Sequence, residues 1–336
     1  MSDSSAGSGY EYADLTPVVT WRELRLPVHI SLFLITLVTT TMAGVEWLGR
    51  DPLNLQNLAM GLQYSLSLLL ILGSHEFGHF FYSLKHRVKA TLPYFIPLPV
   101  IPAMLNFGTL GAVIRTRTPV PSRKAIFDIG VSGPIVGFIV SIGVLIFGFT
   151  HLPSKEFLLQ IHPGYDFANN TVPGSAGIPL AFGNTVLFKL LEVIFTNPRT
   201  EFVPPMTEIY HYPFLCVGWF GLFVTSMNLL PIGQLDGGHM IYAMFGRAHR
   251  KIARIFFAII LAIGLLGLLP VVGVNLEIGW TGWLMWCLIL FLVVKLDHPP
   301  VMDSSPLDAR RKVVGWLTIL IFLVSFSPIP FTIALR

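Results

Sequence analysis

The chain has 336 residues, of which 53% are hydrophobic and only 12% are charged. Soluble globular domains carry roughly 25% charged residues, so this composition excludes a disordered protein, a disulfide-stapled secreted domain and an ordinary cytosolic enzyme. The net charge of +4 does not indicate nucleic-acid binding, because the basic residues stand between apolar runs and form no single patch. The composition indicates a protein of the lipid bilayer, and residues 1–20 show no signal-peptide pattern.

Seven apolar runs are candidates for membrane spans, since a span needs about 20 mostly apolar residues to cross roughly 30 Å of hydrocarbon. Of these, the sixth run is short and the seventh carries Pro328 and Pro330 near its end. We therefore expect an all-α polytopic membrane protein with six to seven transmembrane helices. The predicted spans lie near residues 29–48, 57–83, 125–150, 211–232, 253–273, 279–295 and 313–335.

The basic residues are distributed unevenly between the two sides of these spans. Of the 22 Lys and Arg residues, 17 fall on the side that holds the first segment, residues 85–124, residues 247–254 and residues 295–312, and five fall on the other side. An excess of Lys and Arg marks cytoplasmic loops. We expect residues 1–28 to be a cytoplasmic N-terminal segment and residues 29–336 to form a single integral-membrane domain.

Two loops are long. The cytoplasmic loop 84–124 is apolar, and prolines exclude a helix across its first part. Its later part, 107–116, mixes β-branched residues with Gly108 and Gly111, which predicts a small membrane-associated β-hairpin between spans 2 and 3. Irregular backbone at membrane depth must be buried in protein or line a watery cavity, so a cavity is expected on this side. The prolines are Pro93, Pro97, Pro99 and Pro102.

The second long loop, 151–210, lies on the opposite side and is rich in Gly, Pro and Asn. Within it, residues 185–195 are apolar but too short to span, so an interfacial or re-entrant segment is expected there.

The second predicted span contains His-Glu-Phe-Gly-His at residues 75–79. Helical positions i and i+4 lie on one face, so His75 and His79 can bind one metal ion. Glu76 can then act as general base, which is the logic of the H-E-x-x-H zinc site. Ionisable residues inside a membrane are functional candidates because their burial is costly. The alternative, two core histidines bonded to carbonyl groups, leaves Glu76 unexplained.

A catalytic zinc ion takes three protein ligands and keeps one position open, so another element must supply a third ligand. Three carboxylates are candidates: Asp128, Asp236 and Asp297. Asp128 begins the third span, where helix capping is an alternative, and Asp297 stands in a polar loop. Asp236 follows a Pro- and Gly-rich break after the fourth span, where capping of the following helix is again an alternative. His239 is a rival ligand.

Two motifs stand on separate spans in a definite order. Residues 75–79 form the first, and residues 228–237 read Asn-x-x-Pro-x-x-x-Leu-Asp-Gly. With these motifs, and with shorter matching segments at 107–114 and 132–134, the chain resembles the site-2 protease family of intramembrane zinc metalloproteases. The resemblance covers about 75–137 and 212–245, inside a motif core of 57–245. Members of the family often carry a PDZ or CBS domain, and neither is apparent here.

The resemblance implies a ligand set and a mechanism. His75, His79 and Asp236 hold one zinc ion per chain, Glu76 is the general base, and Asn228 positions the substrate or the developing oxyanion. An equally weighted alternative for Asn228 is a hydrogen bond to a neighbouring helix. Gly133 and Gly137 form a GxxxG pattern, which favours close helix packing over a ligand site. No role is assigned to the remaining histidines: His29, His86, His151, His162, His211, His249 and His298.

The implied function is a zinc endopeptidase that cuts transmembrane segments of membrane-tethered proteins near their cytoplasmic ends, often after a first cut by another protease. The expected partners are such substrates and the lipid bilayer, with no nucleic acid. A helical substrate must become extended, and the strand within 107–116 can hold it by β-augmentation. The rival functions are an ion- or metal-coupled transporter, which uses similar buried polar residues, and an inactive metal-binding scaffold.

Overall fold

The computed structural model describes residues 25–99, 106–172, 180–274, 276 and 278–333. Most of the predicted cytoplasmic segment 1–28 lies outside the described residues, and so does Pro102. The described chain is mainly helical, with two small two-stranded sheets. The helices are α1 (Leu26–Trp47), α2 (Leu58–Lys85), α3 (Arg123–Thr150), α4 (Lys155–Ile161), α5 (Val186–Phe195), α6 (Pro213–Asn228), α7 (Asp236–Phe245), α8 (His249–Leu266), α9 (Gly282–Ile289) and α10 (Ala309–Ser325). The strands are β1 (Tyr94–Pro97), β2 (Thr109–Val113), β3 (Leu180–Phe182) and β4 (Phe331–Ile333).

Four helical segments among the described residues are long and apolar enough to cross a membrane: Leu26–Trp47, Leu55–Lys85, Arg123–Thr150 and Asp236–Val272. Two further apolar helices, Pro213–Asn228 and Gly282–Val294, are shorter. At 1.5 Å per residue, the 16 residues of α6 reach about 24 Å, less than the hydrocarbon thickness of about 30 Å. The multi-pass prediction is therefore supported, while the count of six to seven spans stays a prediction.

Helix α3 is the central helix of the bundle, because it packs against α2, α6 and α7. Its glycines allow close approach to the neighbouring helices, as small residues do in membrane bundles. Helices α1 and α2 also cross closely, since a methyl group at Gly61 would overlap the carbonyl group of Thr41. Large apolar side chains such as Leu34, Val38 and Leu66 are more than half exposed on the outer faces of α1 and α2. These faces suit contact with lipid.

Strands β1 and β2 form a sheet and follow α2 and precede α3 along the chain, in the loop where the sequence predicts a hairpin. The strands are antiparallel, with Tyr94 opposite Val113 and Phe95 opposite Ala112. Residues 107–116 supply only the second strand, so the prediction of a whole hairpin within them is wrong. The first strand comes from the proline-containing part of the loop upstream, because an extended backbone accommodates proline there. The sheet is fastened to α1, since Thr39 Oγ1 donates a hydrogen bond of 2.7 Å to the carbonyl oxygen of Gly108.

The end of the described chain differs from the predicted seventh span, 313–335. Helix α10 ends at Ser325, and β4 then pairs antiparallel with β3 of the 151–210 loop. Proline cannot continue a helix, so Pro328 and Pro330 force the chain out of it. The amide of Gly183 donates a hydrogen bond of 2.8 Å to the carbonyl oxygen of Pro330, which joins the two segments. The second sheet was not expected from the sequence.

Residues 186–195 of the predicted apolar segment form helix α5, and Thr185 caps it. Leu187, Phe188 and Leu191 are buried against the helical body, while Val186, Leu190, Val193 and Ile194 are exposed. A short helix with one apolar face outward fits the expected interfacial position, which stays a prediction.

Candidate active site

Helix α2 brings His75 and His79 onto one face, and α7 adds Asp236. The Nε2 atoms of the two histidines lie 3.0 Å apart. Oδ2 of Asp236 lies 3.3 Å from each of them. Both histidines are buried and Asp236 is partly buried. These three side chains form a group whose ligand atoms can hold a metal ion.

The ring orientation of His79 is fixed by a backbone carbonyl group. Its Nδ1 donates a hydrogen bond of 2.7 Å to the carbonyl oxygen of Ile129 on α3. A histidine that donates through one nitrogen keeps the lone pair of the other free for a metal. Nε2, which faces His75 and Asp236, is therefore the candidate ligand atom.

Three glycines of α3 make room for the two histidines and for α7. A methyl group at Gly133 would overlap the ring of His79, and one at Gly137 would lie 3.2 Å from Cβ of His75. A methyl group at Gly130 would lie 3.0 Å from Cβ of His239 on α7. The GxxxG pattern thus serves close packing, as expected, and the surface it packs against carries the metal-binding group.

The break between α6 and α7 brings Asp236 to the histidines. After Asn228 the helix stops, and Gly233 adopts a φ of 57°, a conformation that favours glycine. A side chain at Gly237 would overlap the carbonyl group of Leu229, so the chain folds tightly back on itself. Asp236 is consequently the first residue of α7, and the cap position before it is occupied by Leu235.

Glu76 faces a cavity of about 360 Å³ that also contains the His–His–Asp group. Its side chain is largely buried, with 8% of the residue exposed. The end of β2 and the residues after it also line this cavity, through Ala112, Val113, Ile114 and Thr116. The cavity expected from the irregular 84–124 segment is therefore present next to the carboxylate.

Asn228 ends α6 at the rim of this cavity. Its Nδ2 atom lies 3.4 Å from Nε2 of His75. The amide is thus close to the metal-binding group. From this position it can contact a bound substrate, and it can also form a hydrogen bond to a neighbouring helix.

The other candidate ligands do not join the group. The capping interpretation of Asp128 is wrong, because Ser122 caps α3 and Asp128 accepts hydrogen bonds from Arg311 of 2.7 and 2.8 Å. Asp297 is exposed, and hydrogen bonds from Arg250 hold the pKa of its carboxyl below the ordinary value. Nδ1 of His239 lies 2.7 Å from Nε2 of His298.

The donor set fits zinc. Zinc binds histidine nitrogen and carboxylate oxygen at about 2.0–2.2 Å in tetrahedral sites, which places neighbouring ligand atoms roughly 3.3 Å apart. The separations here, 3.0 to 3.3 Å, agree with that value. Three protein ligands beside an open cavity correspond to the catalytic type of zinc site.

A His–His–Asp group with an adjacent glutamate, on an apolar helix of membrane length, is typical of a metallopeptidase. Comparison with known proteins agrees: the sequence profile described as peptidase family M50 matches residues 63–271. The chain belongs to this family, which confirms the resemblance to the site-2 proteases. Family membership and the ligand group both agree with the predicted zinc cofactor.

Several plant proteins are similar to this chain. The probable zinc metalloprotease EGY2, chloroplastic, of Oryza sativa subsp. indica is 26% identical over 306 residues, which is 90% of this chain and 49% of the relative. The probable zinc metalloprotease EGY1, chloroplastic, of Arabidopsis thaliana is 26% identical over 81% of this chain and 43% of the relative. The chain thus spans about half the length of these relatives, and no solved structure matches it.

Proposed function

We propose that this chain is an intramembrane zinc endopeptidase that cuts transmembrane segments of membrane-tethered proteins. The observation that carries the proposal is the convergence of His75, His79 and Asp236 beside Glu76, in a cavity at one end of a membrane-length helix. Membership of peptidase family M50 supports the same reaction class.

In the proposed mechanism, His75, His79 and Asp236 hold the zinc ion. When bound, zinc would act as a Lewis acid, which lowers the pKa of a water molecule and polarises the scissile carbonyl group. The Glu76 carboxylate accepts the proton of the attacking water and delivers it to the amine nitrogen that leaves. The Asn228 amide, which is a hydrogen-bond donor, stabilises the oxygen on which negative charge develops.

The proposed substrates are membrane proteins whose helix unwinds at the cutting site, because a helix hides its peptide groups in its own hydrogen bonds. The cavity wall formed by β2 offers a partner for an unwound segment. We further propose that the active site faces the cytoplasm, since the ends of α2 and α3 near it carry Lys85, Arg123 and Lys124.

The test compares Glu76→Gln with the wild type. Both proteins are reconstituted in vesicles with a single-span test peptide that carries a label at each end, and fragments are identified by mass spectrometry. We expect cleavage within the span by the wild type and a loss of at least a hundredfold in the variant, because general-base catalysis contributes about 10²–10⁴. Zinc content should be unchanged.

The matched control is Glu192→Gln, which removes a glutamate that pairs with Lys189 on α5 and does not line the cavity. It should cleave like the wild type. Undiminished cleavage by Glu76→Gln would overturn the assigned base. Metal or ion flux that survives Glu76→Gln, with no cleavage by either protein, would favour the transporter.

A further inference from the structure

A second group of metal-ligating side chains lies far from the active site. His162, Glu208 and His211 place their ligand atoms within 4.8 Å of one another. His162 follows α4, while Glu208 and His211 precede α6, which begins at Pro213. Asn228, at the rim of the active-site cavity, stands at the other end of α6, about 24 Å away along the helix. The two groups are therefore separate.

The spacing within this second group resembles the spacing within the first. Nε2 of His162 lies 2.9 Å from Nε2 of His211. Oε2 of Glu208 lies 3.5 Å from Nε2 of His162 and 3.7 Å from Nε2 of His211. These values bracket the roughly 3.3 Å expected between neighbouring ligands of a tetrahedral zinc ion. Two histidines and one glutamate are also an established zinc ligand set.

A hydrogen bond from one ring nitrogen fixes the orientation of His211, as is usual for histidines that bind a metal ion. Its Nδ1 donates a hydrogen bond of 2.6 Å to the carbonyl oxygen of Trp47, the last residue of α1. The lone pair of Nε2 is thereby left free and faces the other two side chains. His211 is 3% exposed, so solvent cannot compete freely for this nitrogen.

Glu208 supplies an independent sign of a missing partner. It is 5% exposed, and its Oε2 accepts no hydrogen bond within the part of the chain that the structure describes. The hydroxyl of Tyr165 interacts with this carboxyl group, but Oε2 itself stays unsatisfied. Leaving a buried carboxylate without a partner is costly, and a cation removes that cost. The unsatisfied oxygen faces the two imidazole nitrogens.

We propose that His162, Glu208 and His211 form a second binding site for a divalent cation of the zinc class. Imidazole and carboxylate ligands suit zinc better than magnesium or calcium, which prefer sites built from oxygen alone. The ion joins three segments: the end of α4, the start of α6 and, through the Trp47 carbonyl group, the end of α1. Its role is structural, and the stoichiometry rises from the predicted one zinc ion per chain to two.

The experiment measures zinc bound per chain, using the full chain purified in detergent, stripped with a chelator and reloaded with Zn²⁺ alone. We expect two equivalents for the wild type and one for His162→Ala. The double variant His75→Ala/His79→Ala should also bind one equivalent, and its combination with His162→Ala should bind none. The control is His151→Ala, an exposed histidine on the same side, which should bind two.

A folding defect is separated from a lost ligand by His162→Cys. Cysteine is a zinc ligand, so this variant should recover the second equivalent, and loading Zn²⁺ should raise its apparent unfolding temperature as it does for the wild type. His162→Ala should lack this rise while retaining the equivalent that depends on His75 and His79.

The proposal is wrong if the wild type binds one equivalent and His162→Ala leaves that number unchanged. This outcome would not affect the proposed peptidase, whose zinc depends on His75 and His79. Conversely, a second equivalent that persists in His75→Ala/His79→Ala would support the new site even if no cleavage were found.

Discussion

At the scale of single residues, both ring nitrogens of His79 have a partner that suits a metal ligand. Its Nδ1 is engaged by the carbonyl oxygen of Ile129, and its Nε2 faces His75 and Asp236. The contact with Ile129 requires α3 to lie close, and Gly133 permits that approach because it has no side chain. Gly133 is therefore a positioning residue that acts through His79.

Gly133→Ala should weaken zinc binding by about tenfold or more, a loss typical of disturbed support behind a ligating histidine. The added methyl group overlaps the His79 ring, so the ring or α3 must move. The measurement is the zinc dissociation constant by chelator competition. Gly143→Ala on the same helix is the control, because a methyl group there meets nothing within 4 Å. Equal affinity in both variants would contradict the positioning role.

At the scale of elements, β2 has one paired edge and one that faces the cavity. Thr91, on the β1 side, donates its amide N–H to the carbonyl oxygen of Arg115. Because backbone groups alternate in direction along a strand, those of Ile114 and Ala112 point toward the other edge. That edge borders the cavity beside Glu76, so we propose it as the edge on which an extended substrate pairs.

Ala112→Pro removes one outward N–H and should reduce cleavage of the test peptide by about five- to thirtyfold, the equivalent of one hydrogen bond of roughly 1–2 kcal/mol. Pairing with β1 should survive, because the lost donor points away from it. Ala112→Val is the control, since it adds similar bulk and keeps the N–H. The measurement is kcat/KM at constant zinc content. Equal rates in the two variants would argue against β-augmentation.

At the scale of the whole molecule, Asp128 joins three helices near the active-site end. It accepts hydrogen bonds from Arg311 on α10, and Nε2 of His86, at the end of α2, lies 2.8 Å from its Oδ2. Asp128 is 7% exposed, so its carboxyl oxygens are bonded by these side chains in place of water. The ion pair fixes α10 to α3, and His86 links Asp128 to the end of α2, the helix that carries His75 and His79.

Asp128→Asn should lower the free energy of unfolding by about 2 kcal/mol. Breaking a fully buried ion pair costs about 3–5 kcal/mol, and the loss here is smaller because Arg311 is partly exposed. Unfolding should begin several degrees lower by thermal scanning in detergent, with zinc content unchanged. Asp297→Asn, which removes an exposed pair with Arg250, should change stability by under about 1 kcal/mol. Lost zinc at unchanged stability in Asp128→Asn would instead indicate a ligand role.

Much of the candidate site was predictable because its strongest signals are local. The spacing of His75 and His79 puts both rings on one helix face, and their position in an apolar segment makes them candidates for function. Asp236 was identified through a motif and not through geometry, because nothing in the sequence measures a distance across about 160 residues. For Asp128, the position at the start of a helix suggested capping, and only the structure places Arg311 beside it.

The sequence by itself determined the membrane class, the H-E-x-x-H helix and the strand-forming loop, because hydropathy, helical period and proline act over a few neighbouring residues. Only the tertiary structure decided which residues distant in the sequence contact one another. It paired Phe331–Ile333 with Leu180–Phe182, packed Gly133 against His79, and assembled His162, Glu208 and His211. In the last group Glu208 and His211 stand three residues apart, but His162 lies 49 residues before His211, so no local pattern joins all three. Such long-range contacts depend on how whole helices pack, and local sequence patterns do not encode that packing.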